Sequence, residues 1–290
     1  MEQKIQVITR HLSSYMRGRV RTVMIDGQPW KYYEQGNGEV MLLLHGIGTS
    51  ITLWRSFMQG FSDYRRITPN LPGLCMFQYF NNKRHSINQL ARWLDDFLKA
   101  VDAPRVNLVA HSTACCLAIF YASTRPEKVA RMTLLSLPDV VRPGNLQDNP
   151  VIRDFMKDID IRSLEDYERY FHKVFYKTPP LPKSYQQHNY RVHVENRERF
   201  MKVAREFIPG ISTVMTHMQR VRCPVLAVHG DHDPYSSAEL AASLNHHFQD
   251  LRNIRLEHTG HVCFMENQPE VFRLMNEFMT PDHSKATTVA

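Results

Sequence analysis

Serine, aspartate and histidine can together do what none does alone at neutral pH. This chain places all three where its residue pattern changes. Ser112 lies in Ala110-His111-Ser112-Thr113-Ala114, between the apolar run 106–110 and a helix-like stretch 113–124. A serine on a tight strand-to-helix turn is lifted out of the sheet, and the unsatisfied amides of the helix point at the reacting carbon. Small residues two before and two after it let strand and helix approach closely. The usual pattern there is G-x-S-x-G, and both glycines are alanine here. A serine hydroxyl is a weak nucleophile without a base. The base in turn needs a carboxylate to fix its tautomer and stabilise the imidazolium. Gly230-Asp231-His232-Asp233-Pro234 offers Asp231 or Asp233, and His258-Thr259-Gly260-His261 offers His258 or His261. Acyl transfer also needs two amide donors for the oxyanion. The Thr113 N–H is one, and the His45-Gly46-Ile47-Gly48 loop supplies the Ile47 N–H as the second.

These residues need a scaffold that brings them to one crevice. Residues 20–26 and 29–35 read as strands joined by an Asp26-Gly27 hairpin turn. Further strands are expected at 40–45, 64–69, 106–110, 131–137, 224–229 and 253–257. Helices are expected after Ser86, which caps an apolar stripe from Ile87 to Val101, and at 113–124, 236–247 and 268–279. Such alternation means an α/β protein with a mostly parallel sheet and helices on both faces. The alternation stops from about 148 to 220, which reads as an inserted helical cap packed over one edge of the sheet. The sheet core then comprises 23–147 and 221–282, after an N-terminal segment 1–22 and before a tail 283–290. Ligands in such sheets gather at the carboxyl ends of the strands, where all the candidate residues fall.

The segments LLLHGIG, NLPG, VAHSTA, RMTLLSLP, VHGDHDP and HTGHVCFMENQPEVF together resemble the α/β-hydrolase superfamily. The resemblance is greatest to bacterial lipases and monoacylglycerol-lipase-like serine esterases, and it extends from the hairpin at residue 20 to the last helix. It implies an α/β-hydrolase fold with Ser112 as nucleophile, Asp233 as acid and His261 as base. Ile47 and Thr113 would form the oxyanion hole. The implied reaction is cleavage of a small-molecule or lipid acyl ester through an acyl-enzyme, without metal or organic cofactor. Trp54 after the HGIG loop, and Tyr170, Phe171 and Phe175 of the cap, are the expected substrate contacts. Serine at the elbow separates the chain from haloalkane dehalogenases and epoxide hydrolases, which use Asp there. Asn70 replaces the family's Asp, and Leu74, Cys75 and Met76 follow Gly73 where small residues are usual. Each adds volume beside the site. These departures, with Ala110 and Ala114, motivate a second reading: a non-catalytic binding protein on a hydrolase shell.

Composition sets the outer limits. The chain has 290 residues, 43% apolar and 22% charged, an ordinary globular balance. No apolar run approaches the roughly 18 residues of a membrane span, and the first twenty residues show no secretory h-region. Five cysteines, an odd number without a C-x-x-C pair, read as reduced thiols of a cytosolic protein. The net charge of +7 is unevenly divided. Residues 1–22 carry five basic and one acidic residue, 151–222 carry fourteen and nine, and 223–290 carry four and nine. A basic amphipathic segment at 1–22 can touch a membrane surface. A basic cap fits an acidic acyl carrier protein, as in the pimeloyl-carrier methyl ester esterases of biotin synthesis, which are also α/β-hydrolases. No nucleic-acid module is visible.

Overall fold

The computed structural model describes residues 19–141, 150–211 and 213–280. Eight strands form one sheet in the order β1-β2-β4-β3-β5-β6-β7-β8. They are β1 (Arg19–Ile25), β2 (Gln28–Gln35), β3 (Val40–Leu44), β4 (Arg65–Pro69), β5 (Val106–His111), β6 (Val129–Leu135), β7 (Val225–Gly230) and β8 (Leu251–Leu256). β1 and β2 form an antiparallel hairpin and β2 is antiparallel to β4; every later pairing is parallel. Asp26 and Gly27 at the hairpin both have positive φ, 51° and 71°, the backbone that a two-residue hairpin turn of matching twist requires. All residues of β3, β5 and β7 are buried, so both faces of the sheet are covered there.

Among the helices, α1 (Ile87–Ala100) starts at Ser86, whose Oγ accepts the Gln89 N–H at 3.4 Å. One face, including Leu90, Trp93, Leu94 and Phe97, is buried. Its successor α2 (Thr113–Thr124) has no polar face at all: Thr113 through Ala122 are buried. A helix apolar all round belongs at the centre of a core. The inserted block holds α3 (Pro150–Ile159), α4 (Leu164–Lys173), α5 (Lys183–Ile211) and α6 (Val214–Met218). After β7 come α7 (Ala238–Ser243), and after β8 the single turn α8 (Cys263–Glu266) and α9 (Gln268–Met279).

Three expectations need correction. β6 ends at Leu135 rather than 137, because Ser136 adopts φ 57° and turns the chain out of the sheet. The helix expected over 236–247 is the short α7 followed by a 3-10 turn. The insertion does not sit at a sheet edge. A Cβ on Gly73, after the central strand β4, would lie 2.8 Å from Val203 of α5, and one on Gly48, after β3, would lie 3.4 Å from Phe200. The cap therefore crosses the carboxyl ends of central strands. At the end of the insertion α6 packs on α2: His217 Nδ1 is 2.8 Å from Ser123 Oγ and its ring lies 4.8 Å from Phe120. At the N-terminus, Arg19 and Arg21 of the expected 1–22 segment lie on β1, while 1–18 and the tail 283–290 fall outside the described residues.

Candidate active site

Ser112 follows the last residue of β5 and precedes α2. Its backbone is at φ 57°, ψ −131°. A non-glycine residue in that region is strained by roughly 1–3 kcal/mol. The strain is held by the neighbours: Ser112 N–H donates to Leu135 O at 3.0 Å, and its carbonyl accepts the Cys115 N–H at 2.8 Å. Gly46 makes the elbow accessible to the loop after β3. A Cβ there would lie 2.9 Å from Ser112 Cβ, so only glycine permits that approach. Ala110 and Ala114 are fully buried on either side.

His261 Nε2 lies 2.8 Å from Ser112 Oγ, and His261 Nδ1 lies 2.9 Å from both oxygens of Asp233. A carboxylate only accepts, so Nδ1 carries the proton and Nε2 accepts from the serine hydroxyl. Asp233 also accepts the Tyr235 N–H at 2.8 Å. Burial pushes its carboxyl up, but His261 and the Tyr235 N–H outweigh that and leave it below the ordinary value. Asp231 is engaged elsewhere, accepting the Thr259 N–H at 3.0 Å and facing His232 Nδ1 at 2.7 Å. His258 stacks on Tyr176. Of each competing pair, the structure brings Asp233 and His261 to Ser112.

Ile47 and Thr113 meet, but not as two open donors. The Ile47 N–H donates to Thr113 Oγ1 at 2.9 Å. An incoming carbonyl oxygen must take that N–H over from the threonine hydroxyl. The loop itself is anchored by His45, whose Nδ1 donates to Gly46 O at 2.8 Å while its Nε2 accepts the Leu71 N–H at 2.9 Å. Burial drives His45 down to about 4, so it stays neutral and serves both bonds. Asn70 accepts the Ile51 N–H at 2.9 Å. The amide side chain at the family's Asp position thus caps the turn after the loop.

Trp54 is fully buried, stacked on Phe264 with centroids 4.6 Å apart, tilted against Phe57 and edge-on to His111. A ring enclosed by three others is core. In the cap, Phe171 and Phe175 pack at 5.0 Å, and Tyr170 is partly buried against the core. Burial, with Asp158 and Tyr167 adding, raises the Tyr170 hydroxyl far above its ordinary value. Phe200 and His193 of α5 stand over Gly48.

Two residues near the base were not singled out from sequence. His111 Nε2 donates to the His261 carbonyl at 3.0 Å. Burial, with the charge of His261, brings His111 down to about 3. Tyr235 packs its ring edge-on against His261 at 5.1 Å, while its hydroxyl donates to Asp158 of α3 at 2.9 Å. Each adjoins a flagged residue, and that adjacency was the only signal the sequence carried.

Known proteins share this architecture. The family model described as the alpha/beta hydrolase fold matches residues 39–268. Lipase 1 of Psychrobacter immobilis is 23% identical over 84% of this chain and 78% of its own length. The 2-hydroxy-6-oxo-2,4-heptadienoate hydrolase of Pseudomonas putida is 23% identical over 90% of this chain and 96% of its own. The crystal structure of a membrane phospholipase A superposes with TM-score 0.82 at 18% identity, covering 96% of this chain and 91% of that one. With its elbow, relay and sheet order, the chain belongs to the α/β-hydrolase-fold family.

Proposed function

We propose that the protein is a serine hydrolase of carboxylic esters acting on a small-molecule or lipid acyl ester. The observation that carries the reading is the unbroken Asp233–His261–Ser112 relay ending on a strained elbow serine. A binding protein has no use for a buried imidazole held in the tautomer that accepts from a serine hydroxyl.

In this reading Ser112 Oγ attacks the ester carbonyl as His261 Nε2 takes its proton. The charge on the tetrahedral oxygen meets the Thr113 N–H and the Ile47 N–H, once the latter leaves Thr113 Oγ1. His261 then gives the proton to the departing alcohol. A water, deprotonated by the same nitrogen, releases the acid and restores the serine. Asp233 stays ionised throughout and stabilises the imidazolium.

The ester class is supported by the lipase relative. The P. putida relative is named for a dienoate substrate, which makes that compound the proper control. The carrier-protein version rests on cap charge alone, and part of that charge is spent inside the cap. Arg162 and Arg197 pair with Asp160, Arg169 with Asp166 and Lys173 with Asp158. Of the segment 1–22 proposed for membrane contact, 1–18 fall outside the described residues and 19–22 belong to β1.

The test is a p-nitrophenyl ester chain-length panel with a carrier-linked methyl ester and the dienoate as further arms. A fluorophosphonate should label the wild type, and Ser112→Ala should abolish labelling and lower turnover by roughly four to six orders of magnitude. Ester turnover unchanged in Ser112→Ala, or turnover of the dienoate alone, would overturn the assignment.

A further inference from the structure

The loop that carries His261 is fastened to the cap as well as to Asp233. His261 N–H donates to Val174 O at 2.9 Å, just past the end of α4. Next to it, Gly260 N–H donates to Glu266 Oε2 at 2.7 Å, and the other oxygen, Oε1, accepts the Lys177 N–H at 2.9 Å. One carboxylate therefore bridges the base-bearing loop and the cap turn 174–177. The contact is tight: a Cβ on Gly260 would lie 2.6 Å from Tyr176 N and 2.8 Å from Glu266 Oε2. The Tyr176 ring closes the same junction from outside, packing on His232 at 4.5 Å and on His258 at 5.4 Å.

We infer that Glu266 is a positioning residue that latches the cap turn 174–177 to the general-base loop, so that His261 is aligned on Ser112 only while that turn is docked. The inference rests on the serine-hydrolase reading for its kinetic consequence. The mechanical part stands on the hydrogen bonds alone.

The physical case is one of matched donors. Gly260 and Lys177 each present a backbone N–H; Gly260 is buried, so leaving its N–H unpaired would cost about as much as a lost hydrogen bond, while the Lys177 bond is at the surface. A carboxylate can accept both and strengthens both through its charge. Because two of the bonds, His261 N–H to Val174 O and Lys177 N–H to Glu266 Oε1, join the turn to the 260–266 segment, lifting the turn breaks both and removes the Val174 acceptor from His261 itself. Ser112 is only 6% exposed, and Phe200 and His193 of α5 stand over the neighbouring Gly48.

The test uses Glu266→Gln, which keeps the volume but offers a single accepting oxygen, and Glu266→Ala, which offers none. For Glu266→Gln we expect kcat to fall about 10- to 100-fold, as a misplaced catalytic group does, with KM within about twofold. The rate of fluorophosphonate labelling of Ser112 should fall by the same factor. Hydrogen exchange should speed up in the peptides covering 174–177 and 258–262 together, and nowhere comparable in the sheet. If Glu266→Ala does not fold, Glu266→Gln alone decides. Unchanged exchange at both peptides, or kcat and labelling within twofold of wild type, would overturn the latch. A wild type that takes no fluorophosphonate would instead sink the serine-hydrolase reading, and the exchange measurement would still judge the latch.

Discussion

Thr113 is the residue at which this site departs most from an open oxyanion hole. Its hydroxyl holds the Ile47 N–H that the tetrahedral intermediate needs. Removing the acceptor leaves that buried N–H unsatisfied in the free protein and free to meet the oxyanion. Thr113→Val should therefore lower folding stability by about 1–3 kcal/mol, the cost of an orphaned buried donor. It should raise kcat/KM about fivefold, since roughly 1 kcal/mol of that penalty is relieved only in the transition state. Thr113→Ser should keep both wild-type values. Denaturant melts and ester kinetics on the two variants check this, and a fall in kcat/KM for the valine variant would show that the hydroxyl is itself a donor. The sequence could name Thr113 and Ile47 as amide donors because backbone donors follow from loop position. It could not show that one side chain occupies the other's amide, because that depends on a rotamer across 66 residues of chain.

Elements were more legible than side-chain contacts. The strand and helix periods recovered the sheet, because a parallel sheet buried on both faces writes continuous apolar runs into its strands. Boundaries at β6 and α7 shifted where a single backbone conformation or a tightened last turn ended the element. The insertion was legible as helical, but not its placement: apolar periodicity says that a face is buried, not against what. Trp54 shows the same limit. An aromatic after a glycine loop reads equally as pocket wall or core, and here it joins the loop after β3 to α8 through Phe264. Trp54→Ala should cost about 3–5 kcal/mol as a large-to-small core substitution. The KM of the folded fraction should stay within about twofold of wild type. A thermal melt beside a substrate titration separates the two, and a large KM change without loss of stability would restore Trp54 to the pocket.

At the scale of the whole molecule, several histidines are buried in neutral form. Burial brings His45, His85 and His229 down to about 4 and His111 to about 3, from an ordinary value of 6.5. In the unfolded chain each regains a proton near 6.5. Between about 4 and 6.5 the unfolded state therefore binds more protons, and stability falls as pH falls. At pH 5.5 each fully buried histidine costs roughly 1 kcal/mol relative to pH 7.5. Denaturant midpoints should decline steadily below pH 6.5, and a flat profile from 7.5 to 5 would contradict this burial. Net charge alone could not have revealed it, since histidines counted as neutral say nothing about which are enclosed.

The order of the sheet has a further consequence at its two ends. Among the described residues, β1 and β8 are each paired on one side only. An unpaired strand edge invites another chain to add to it, and proteins blunt such edges with charge. Arg19 and Arg21 lie on β1, and Arg252 and Arg255 lie on β8. Arg21 pairs with Glu34 and Arg252 with Glu277, so each edge carries an ion pair beside a further guanidinium, Arg19 or Arg255. Charged side chains at both ends thus work against sheet extension and aggregation, a duty separate from anything the active site asks of them.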